Sequence, residues 1–418
     1  MLVRLGARRL DAIPGTEQVR EDALNDAIRL YQELQADQAE PDPDLYARLG
    51  SALTSLAHLR MAMGRHQQAE EDCRRGMELL ESLPADLRET PACRHQMAFG
   101  QYILGNILAA TNQRADAECL YLQACASLDA PAAAGDPPSR RLLTHCYAGL
   151  GMVCGDFARR RTYHRRELEL SEAFYKEEPD RWENCNRLGQ SLHNVAMDCQ
   201  STGNFAEAET LYRRGLTLLE PFSARTPHQS GEHADHALSQ AILVQSYLSL
   251  GALHLNRRQP DKAEVHYKNA VALSENRARL YPQASHQEEL AQSYTTLASL
   301  YQVTNRGKEA EALYQKVLAI REPLVRDLPH VAHYRLTLAE TYVNLGLLLS
   351  GSRSQEALAI FQKGRDLLEP LLRDHPGDTR YAIALGGICN NQARLVCHQE
   401  GPRKALPWHD RAVAVLLA

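Results

Sequence analysis

Apolar residues recur along this chain at the three- and four-residue spacing of amphipathic helices, and short polar turns interrupt the helices at regular intervals. The same pattern returns about every 47 residues. The stretches Leu104–Tyr121 and Leu250–Tyr267 share a small residue at the second position, a polar turn, an Ala-Glu pair and a closing tyrosine. A period between 20 and 50 residues predicts a solenoid of repeated helical units.

Each of eight units has a small anchor residue on its first helix, which we call helix A: Ala57, Gly105, Gly151, Ala196, Gly251, Ala298, Gly346 and Ala393. Twelve residues later, on helix B, most units carry an alanine: Ala69, Ala117, Ala208, Ala263, Ala310 and Ala405, with Ala357 one residue early. Four residues further on, most units carry an aromatic side chain: Tyr121, Tyr212, Tyr267, Tyr314 and Phe361. Small residues let two helices approach closely, and the aromatic ring fills the space toward the next hairpin. A hairpin of this kind buries its apolar face only by stacking on its neighbours.

Turn and helix-breaking residues fall where this pattern needs them. Predicted turns lie at Gly64-Arg65, Gly203-Asn204, Asn305-Arg306-Gly307 and Glu400-Gly401, and prolines separate the units at Pro84, Pro179, Pro282, Pro329 and Pro376. The predicted fold is all-α, a right-handed α-solenoid of stacked antiparallel hairpins. It comprises a degenerate unit at 1–40, repeats 1–4 at 41–228 and repeats 5–8 at 229–418, as one continuous solenoid. Repeat 3 departs from the pattern, with Tyr163 at the alanine position and Arg159-Arg160-Arg161 in the expected turn.

These positions resemble the tetratricopeptide repeat family, whose pattern of small residue, alanine and aromatic the chain repeats over nearly its full length. The period is longer than the 34 residues typical of that family, which implies longer helices, similar to the extended repeats of kinesin light chains. The opening segment, 5–20 and 30–34, resembles the stretch that joins planctomycete-type serine/threonine kinases to their tetratricopeptide regions. No glycine-rich phosphate loop, HRD or DFG motif is present in this sequence.

The family resemblance implies that helix A lines the ligand surface at positions six, three and two before the anchor and one after it. Two of these columns form what we call the polar ladder: Gln190, Gln245, Gln292 and Glu340 six before the anchor, and Asn194, Ser249, Thr296, Asn344 and Asn391 two before it. Most of these side chains donate and accept hydrogen bonds, so the ladder could hold the main chain of an extended peptide, similar to the asparagine ladders of related families. The same side chains could instead bond neighbouring helices.

The N-terminal repeats carry a different surface at the same positions. Phe99, Tyr102, Asn106 and His145 could grip an apolar side chain, since aromatics make rigid anchors, or could pack between helices. We include Tyr102 and Asn106 among the candidate binding residues. Helix A of repeats 1–7 supplies almost no lysine or arginine at the groove positions, which argues against the carboxylate clamp that recognises chaperone tails.

Composition narrows the partner to a protein or peptide. A formal net charge of −5 excludes a strong attraction to nucleic acid. The sequence contains no run of 18 apolar residues, so a membrane-spanning helix is not predicted. The ten cysteines include no CxxC pair, which favours free thiols and a cytoplasmic location. The alternative location is the extracytoplasmic part of a membrane-anchored parent protein. The basic cluster of Arg159-Arg160-Arg161 with Arg165 and Arg166 is expected to be neutralised by nearby glutamates such as Glu169. His233, Asp235 and His236 offer no fixed ligand geometry, so neither metal nor cofactor is predicted.

The sequence therefore predicts a protein-interaction scaffold and not an enzyme, because no catalytic signature surrounds any cysteine or histidine. Two alternatives stay open: a sensor or regulatory region of a larger signalling enzyme such as a serine/threonine kinase, and a self-assembling solenoid. The apolar C-terminal stretch 412–418 predicts self-association through the last helix, and it also suggests that the chain is part of a longer protein.

Overall fold

The computed structural model describes residues 17–36, 42–225 and 230–417 of the 418. Within these ranges the chain forms 18 α-helices and no strand, so the predicted all-α fold is confirmed. The helices are α1 (Glu17–Ala36), α2 (Pro43–Ala62), α3 (His66–Glu81), α4 (Ala85–Arg88), α5 (Pro91–Ala110), α6 (Arg114–Ala133), α7 (Pro137–Val153), α8 (Phe157–Glu177), α9 (Trp182–Ser201), α10 (Phe205–Ser223), α11 (Ser230–Asn256), α12 (Pro260–Leu280), α13 (Ala284–Val303), α14 (Gly307–Asp327), α15 (Ala332–Leu349), α16 (Ser354–Asp374), α17 (Thr379–Glu400) and α18 (Pro402–Leu417).

The chain divides into two compact units, Met1–Ile242 and Leu243–Ala418, and the division falls inside α11. In the first unit α1 packs on α2, and four hairpins follow: α2–α3, α5–α6, α7–α8 and α9–α10. The second unit contains α12 and the hairpins α13–α14, α15–α16 and α17–α18. Within each unit the B helix of one hairpin packs on the A helix of the next, which is the stacking that the repeat pattern predicts.

The anchor residues are buried, and so are the aromatic residues that follow on helix B. A Cβ atom placed on Gly105 would lie 2.7 Å from Cε1 of Tyr121 in its own hairpin. A Cβ placed on Gly149 in the next hairpin would lie 2.6 Å from Cζ of the same ring. The Tyr121 ring therefore fills space that glycines leave free on both sides.

We expect that adding one methyl group at Gly346, the anchor glycine of repeat 7, destabilises the fold. A Cβ on Gly346 would lie 2.5 Å from Cε1 of the fully buried Phe361 ring, so Gly346→Ala should lower the free energy of unfolding by about 1–3 kcal/mol. A Cβ on Gly387, on α17, would meet no described atom within 4 Å, so Gly387→Ala should instead raise it by about 0.5–1 kcal/mol through helix propensity. Urea unfolding of both variants checks the opposite signs, and a stabilised Gly346→Ala would contradict the close packing.

The hairpin turns share one backbone conformation. Seven residues after the anchor, φ is positive in five repeats, at Gly64 (75°), Asn112 (64°), Gly203 (78°), Arg258 (57°) and Asn305 (60°). Glycine and asparagine adopt this left-handed region most readily, and at Arg258 the packing of the hairpin imposes it on a larger residue.

In repeat 3 the connection between the two helices lies three residues earlier than the pattern predicts, and the turn expected at 159–161 is wrong. Helix α7 ends at Val153 and α8 begins at Phe157, so the connection falls earlier and 159–161 lie in the first turn of α8. The cause is a local cap, because the Asp156 carboxylate accepts a hydrogen bond of 2.8 Å from the backbone N–H of Arg159.

The early start of α8 moves its buried residues by three positions. His164, and not an aromatic residue in the usual register, lies over the anchor: a Cβ on Gly151 would be 2.2 Å from its Nε2. Nδ1 of His164 lies 2.6 Å from the buried carboxylate of Asp198 on α9. The interface between repeats 3 and 4 is therefore more polar than the others of the first unit.

Candidate peptide-binding surface

The A-helix face is defined here by the columns of helix A that the repeat pattern assigned to ligand binding. In the first unit the polar ladder contributes Gln190 and Asn194, one turn apart on α9. Gln190 Nε2 donates to Asn194 Oδ1 over 3.0 Å, and Asn194 Nδ2 donates to Glu167 on α8 over 3.4 Å. Both amides are half-buried, so in this repeat the ladder connects neighbouring helices.

Glu167 is an unexpected buried acid at this position. Its side chain also accepts a 2.9 Å hydrogen bond from Ser191, and it lies in the register where other B helices carry small residues. Burial raises the pKa of the Glu167 carboxyl, and its hydrogen bonds with Ser191 and Asn194 oppose that shift. Sequence reasoning missed Glu167 because the three-residue shift in α8 was not visible from the repeat spacing.

In the second unit most of the polar ladder is accessible. Gln245 and Glu340 are exposed, and Ser249, Asn344 and Asn391 are half-buried. Within residues 230–417 none of these five side chains forms a hydrogen bond or ion pair, so their polar atoms face solvent.

The ladder residues Gln292 and Thr296 on α13 do have internal partners. Thr296 Oγ1 donates to the backbone carbonyl of Gln292 over 3.0 Å. Gln292 Oε1 accepts a 3.3 Å hydrogen bond from Nη2 of Arg321, which comes from α14.

Arg321 is the largest fully buried side chain in the described ranges, with 1% of its surface exposed. Its guanidinium pairs with Glu288 of α13, with Nε lying 3.1 Å from both carboxylate oxygens. Nη1 donates to the carbonyl of Thr337 over 3.0 Å and to the hydroxyl of Thr341 over 2.8 Å, both on α15. Arg321 thus joins three successive helices, and nothing in the repeat pattern pointed to it.

The N-terminal candidates Phe99, Tyr102 and His145 lie in what we call the aromatic row. This row crosses four successive A helices and also includes His58 and Arg187, which the sequence analysis did not name. The ring centroids of His58 and Phe99 are 5.9 Å apart, and those of Tyr102 and His145 are 5.7 Å apart. The row contains residues that pack between helices, as the alternative interpretation of this surface predicts. Asn106 also bonds internally, because its Oδ1 accepts a 2.7 Å hydrogen bond from the Tyr121 hydroxyl.

Arg187 was not among the sequence candidates because it lies nine residues before its anchor. Its two terminal nitrogens lie 3.1 and 3.0 Å from Nδ1 and Nε2 of His145, and Nη2 lies 3.4 Å from Glu183. Burial lowers the pKa of His145 to about 3, helped by the positive charge of Arg187 and by His58 and Arg141. His145 is therefore neutral at physiological pH.

Large apolar side chains on the A-helix face are exposed, and the sequence analysis did not single them out. Met152, Met197 and Leu347 occupy the column one residue after the anchor, and Met152 is 68% exposed. Val303, after its anchor on α13, and Ile383, before its anchor on α17, lie on the same face, at 67% and 64% exposure. The column was defined from the repeat pattern, so its apolar members could have been found.

The basic cluster on α8 is largely neutralised, but mainly by other helices. Arg159 pairs with Glu118 at 2.8 Å, Arg160 with Asp198 at 3.3 Å, and Arg165 with Glu207 at 3.4 Å. The expected pairing within α8 occurs for Arg166, whose Nη1 lies 2.8 Å from Glu169.

The insertion before repeat 5 extends helix α11 at its start. Here His236 is buried, with Nε2 2.9 Å from the carbonyl of Ser223, while the side chain of His233 lies outside the described residues. Asp235 accepts from Asn186. No cluster of three or more His, Cys, Asp or Glu side chains suited to a metal ion occurs in the described parts of the chain. Among the helices described, none is both long and apolar enough to cross a bilayer.

Comparison with known proteins supports the repeat assignment. The tetratricopeptide repeat model matches residues 188–220 and 290–324, whereas no curated protein matches the chain. The apo form of the quorum sensor NprR from B. thuringiensis has a similar structure, with a TM-score of 0.57 and 12% identity over 96% of this chain and 99% of that one. A signal transduction ATPase with numerous domains and a tetratricopeptide repeat sensor, from Pyrococcus horikoshii, aligns with a TM-score of 0.51 and 13% identity over 88% of this chain and 50% of that one. The chain carries tetratricopeptide repeats, as predicted, and the kinase resemblance stays a prediction.

Proposed function

We propose that this chain, a solenoid of tetratricopeptide repeats, holds an extended segment of a partner protein on the A-helix face of its second unit. The observation that carries the proposal is that Asn344 and Asn391 present accessible amides that bond no other residue in the described ranges. Solenoids of this kind use their extended faces for binding, which favours a binding role over a catalytic one.

The chemistry of this face suits a main chain flanked by apolar side chains. An amide offers both donors and acceptors, and an extended peptide presents both along its backbone. Leu347 follows Asn344 on α15 and Ile383 precedes Asn391 on α17, and both apolar side chains are exposed. Polar and apolar contacts are therefore available on the same helices, without a requirement for a charged ligand.

In the first unit, the hydrogen bonds of Gln190 and Asn194 to each other and to Glu167 favour a structural role for that part of the ladder. For this reason the test uses residues of the second unit.

We expect the double variant Asn344→Ala/Asn391→Ala to bind peptide about 10- to 30-fold more weakly than the unchanged chain. Each lost hydrogen bond is worth about 1 kcal/mol, and 1.4 kcal/mol is a factor of ten in affinity. A randomised 12-residue peptide library displayed on phage is panned against the full chain, and fluorescence anisotropy then measures the affinity of the selected peptides for each variant.

The matched control is Gln315→Ala/Gln355→Ala, which removes two exposed amides from the B helices α14 and α16. This control should bind as the unchanged chain does. Failure to select any peptide, or equal affinity for both double variants, would overturn the proposal. Circular dichroism and light scattering check that neither unfolding nor association through α18 explains a loss.

The other predicted functions stay predictions. Leu406, Val413 and Leu416 on α18 are exposed, which is compatible with self-association through this helix. The role as a sensor or regulatory region of a larger signalling enzyme and the cytoplasmic location also stay predictions.

A further inference from the structure

The guanidinium of Arg321 has five N–H donors, and the fold supplies an acceptor for each of them. Nε donates to Glu288, Nη1 donates to Thr337 and Thr341, and Nη2 donates to Glu288 and Gln292. Four of the five acceptors come from buried positions. The fifth, Oε1 of Gln292, belongs to an exposed residue of the polar ladder. A buried cation thus lies directly beneath one ladder position.

This contact fixes the orientation of the Gln292 amide. A guanidinium can only donate, so the amide atom that faces Arg321 must be the oxygen. The Nε2 amino group therefore points away from Arg321, and it forms no hydrogen bond within the described residues. One turn along α13, the Thr296 hydroxyl donates its proton to the backbone carbonyl of Gln292, so the hydroxyl oxygen is available as an acceptor. A free glutamine could offer either atom to a ligand, whereas Gln292 offers two donors.

We propose that Gln292 is a specificity-determining donor that binds a carbonyl or carboxylate oxygen of the ligand, and that Arg321 is its positioning residue. The inference rests on the proposed peptide-binding function and adds the chemistry of one contact. A main-chain carbonyl and a carboxylate share this chemistry. Peptides with an amidated C-terminus, and peptides with Asp and Glu replaced by Asn and Gln, distinguish the two sources.

The decisive variant is Gln292→Glu, which has nearly the same shape. One carboxylate oxygen still accepts from Arg321, but the outward atom becomes an acceptor with negative charge. We expect the selected 12-residue peptides to bind this variant at least tenfold more weakly. Gln292→Met, which removes the donor and adds no charge, should bind them about five- to tenfold more weakly. Gln315→Glu on the B helix α14 is the control for the added charge and should bind them as the unchanged chain does.

Arg321→Lys tests the positioning role. A lysine ammonium has three donors in place of five, so the contact to Gln292 should be lost and the amide freed to turn. We therefore compare Arg321→Lys with Arg321→Lys/Gln292→Glu. Their affinities for the selected peptides should differ by less than threefold. A residue with only a structural role would lower both affinities and leave their ratio unchanged.

Several results would overturn the inference. Equal or tighter binding by Gln292→Glu would show that the ligand donates at this position or does not contact it. If Gln292→Glu is unaffected while Asn344→Ala/Asn391→Ala binds weakly, this inference fails and the proposed function stands. If no peptide binds the unchanged chain, both fail.

Discussion

Replacing Arg321 with methionine is expected to lower the free energy of unfolding by about 3–5 kcal/mol, because the carboxylate of Glu288 is then left buried without its partner. Glu288 is also buried, at 9% exposure, and lies on α13 together with Gln292, while the other two acceptors of Arg321, Thr337 and Thr341, lie on α15. Urea unfolding followed by circular dichroism, with tyrosine fluorescence as a second probe, measures the change.

Two further variants distinguish the effect of leaving the Glu288 carboxylate unpaired from the effect of removing an arginine side chain. In Arg321→Met/Glu288→Leu both charges are replaced by apolar groups, and most of the stability should return because no buried charge remains. Arg326→Met, at an exposed position of the same helix where the arginine pairs with the neighbouring Asp327, should change stability by less than about 0.5 kcal/mol. An Arg321→Met chain as stable as the Arg326→Met chain would contradict the buried network.

Acidification from pH 7 to pH 5 is expected to destabilise the chain by about 2 kcal/mol through His145 alone. The pKa of His145 is about 3 in the folded chain and near 6.5 when unfolded, so the unfolded state binds the proton first as the pH falls. Stability from this group is therefore complete above pH 6.5 and is lost progressively between pH 6.5 and pH 3. Burial and the adjacent Arg187 are the causes, because a charged imidazole would be desolvated beside a guanidinium.

Urea unfolding of the unchanged chain and of His145→Gln at both pH values isolates this contribution. The difference between pH 7 and pH 5 should be about 2 kcal/mol smaller in the variant, since glutamine does not titrate. Burial also lowers the pKa of His193, to about 4, but that group titrates equally in both chains. His330→Gln removes an exposed histidine by the same substitution and is the matched control variant. An identical pH dependence for His145→Gln would contradict the buried neutral state of His145.

The repeat framework was predictable because it depends on local sequence spacing. The anchors, alanines and aromatics of helices A and B were located from the 47-residue period, and the structure buries them at the predicted contacts. Repeat 3 shows the limit of that reasoning. Helix α8 begins three residues early, after a cap at Asp156, and this shift places His164 and Glu167 where other repeats bury aromatic and small residues.

The positions of the ladder columns were also predictable, but whether each side chain has an internal hydrogen-bond partner was not. Gln190, Gln245 and Gln292 occupy the same column, and yet Gln190 and Gln292 have internal partners while Gln245 has none in the described ranges. The difference arises from residues on neighbouring helices, such as Arg321, whose sequence distances from the ladder vary.

The sequence by itself determined the helical hairpins, their boundaries at glycine and proline, and the face that each A helix presents, because periodicity and close packing at small residues are properties of position along the chain. Only the tertiary structure decided which polar groups form hydrogen bonds inside the protein. Arg321, Glu167 and Arg187 meet partners across helix interfaces, where burial makes an unpaired polar group costly and so favours the hydrogen bonds that form there. What is left unpaired on the A-helix face is available to a ligand.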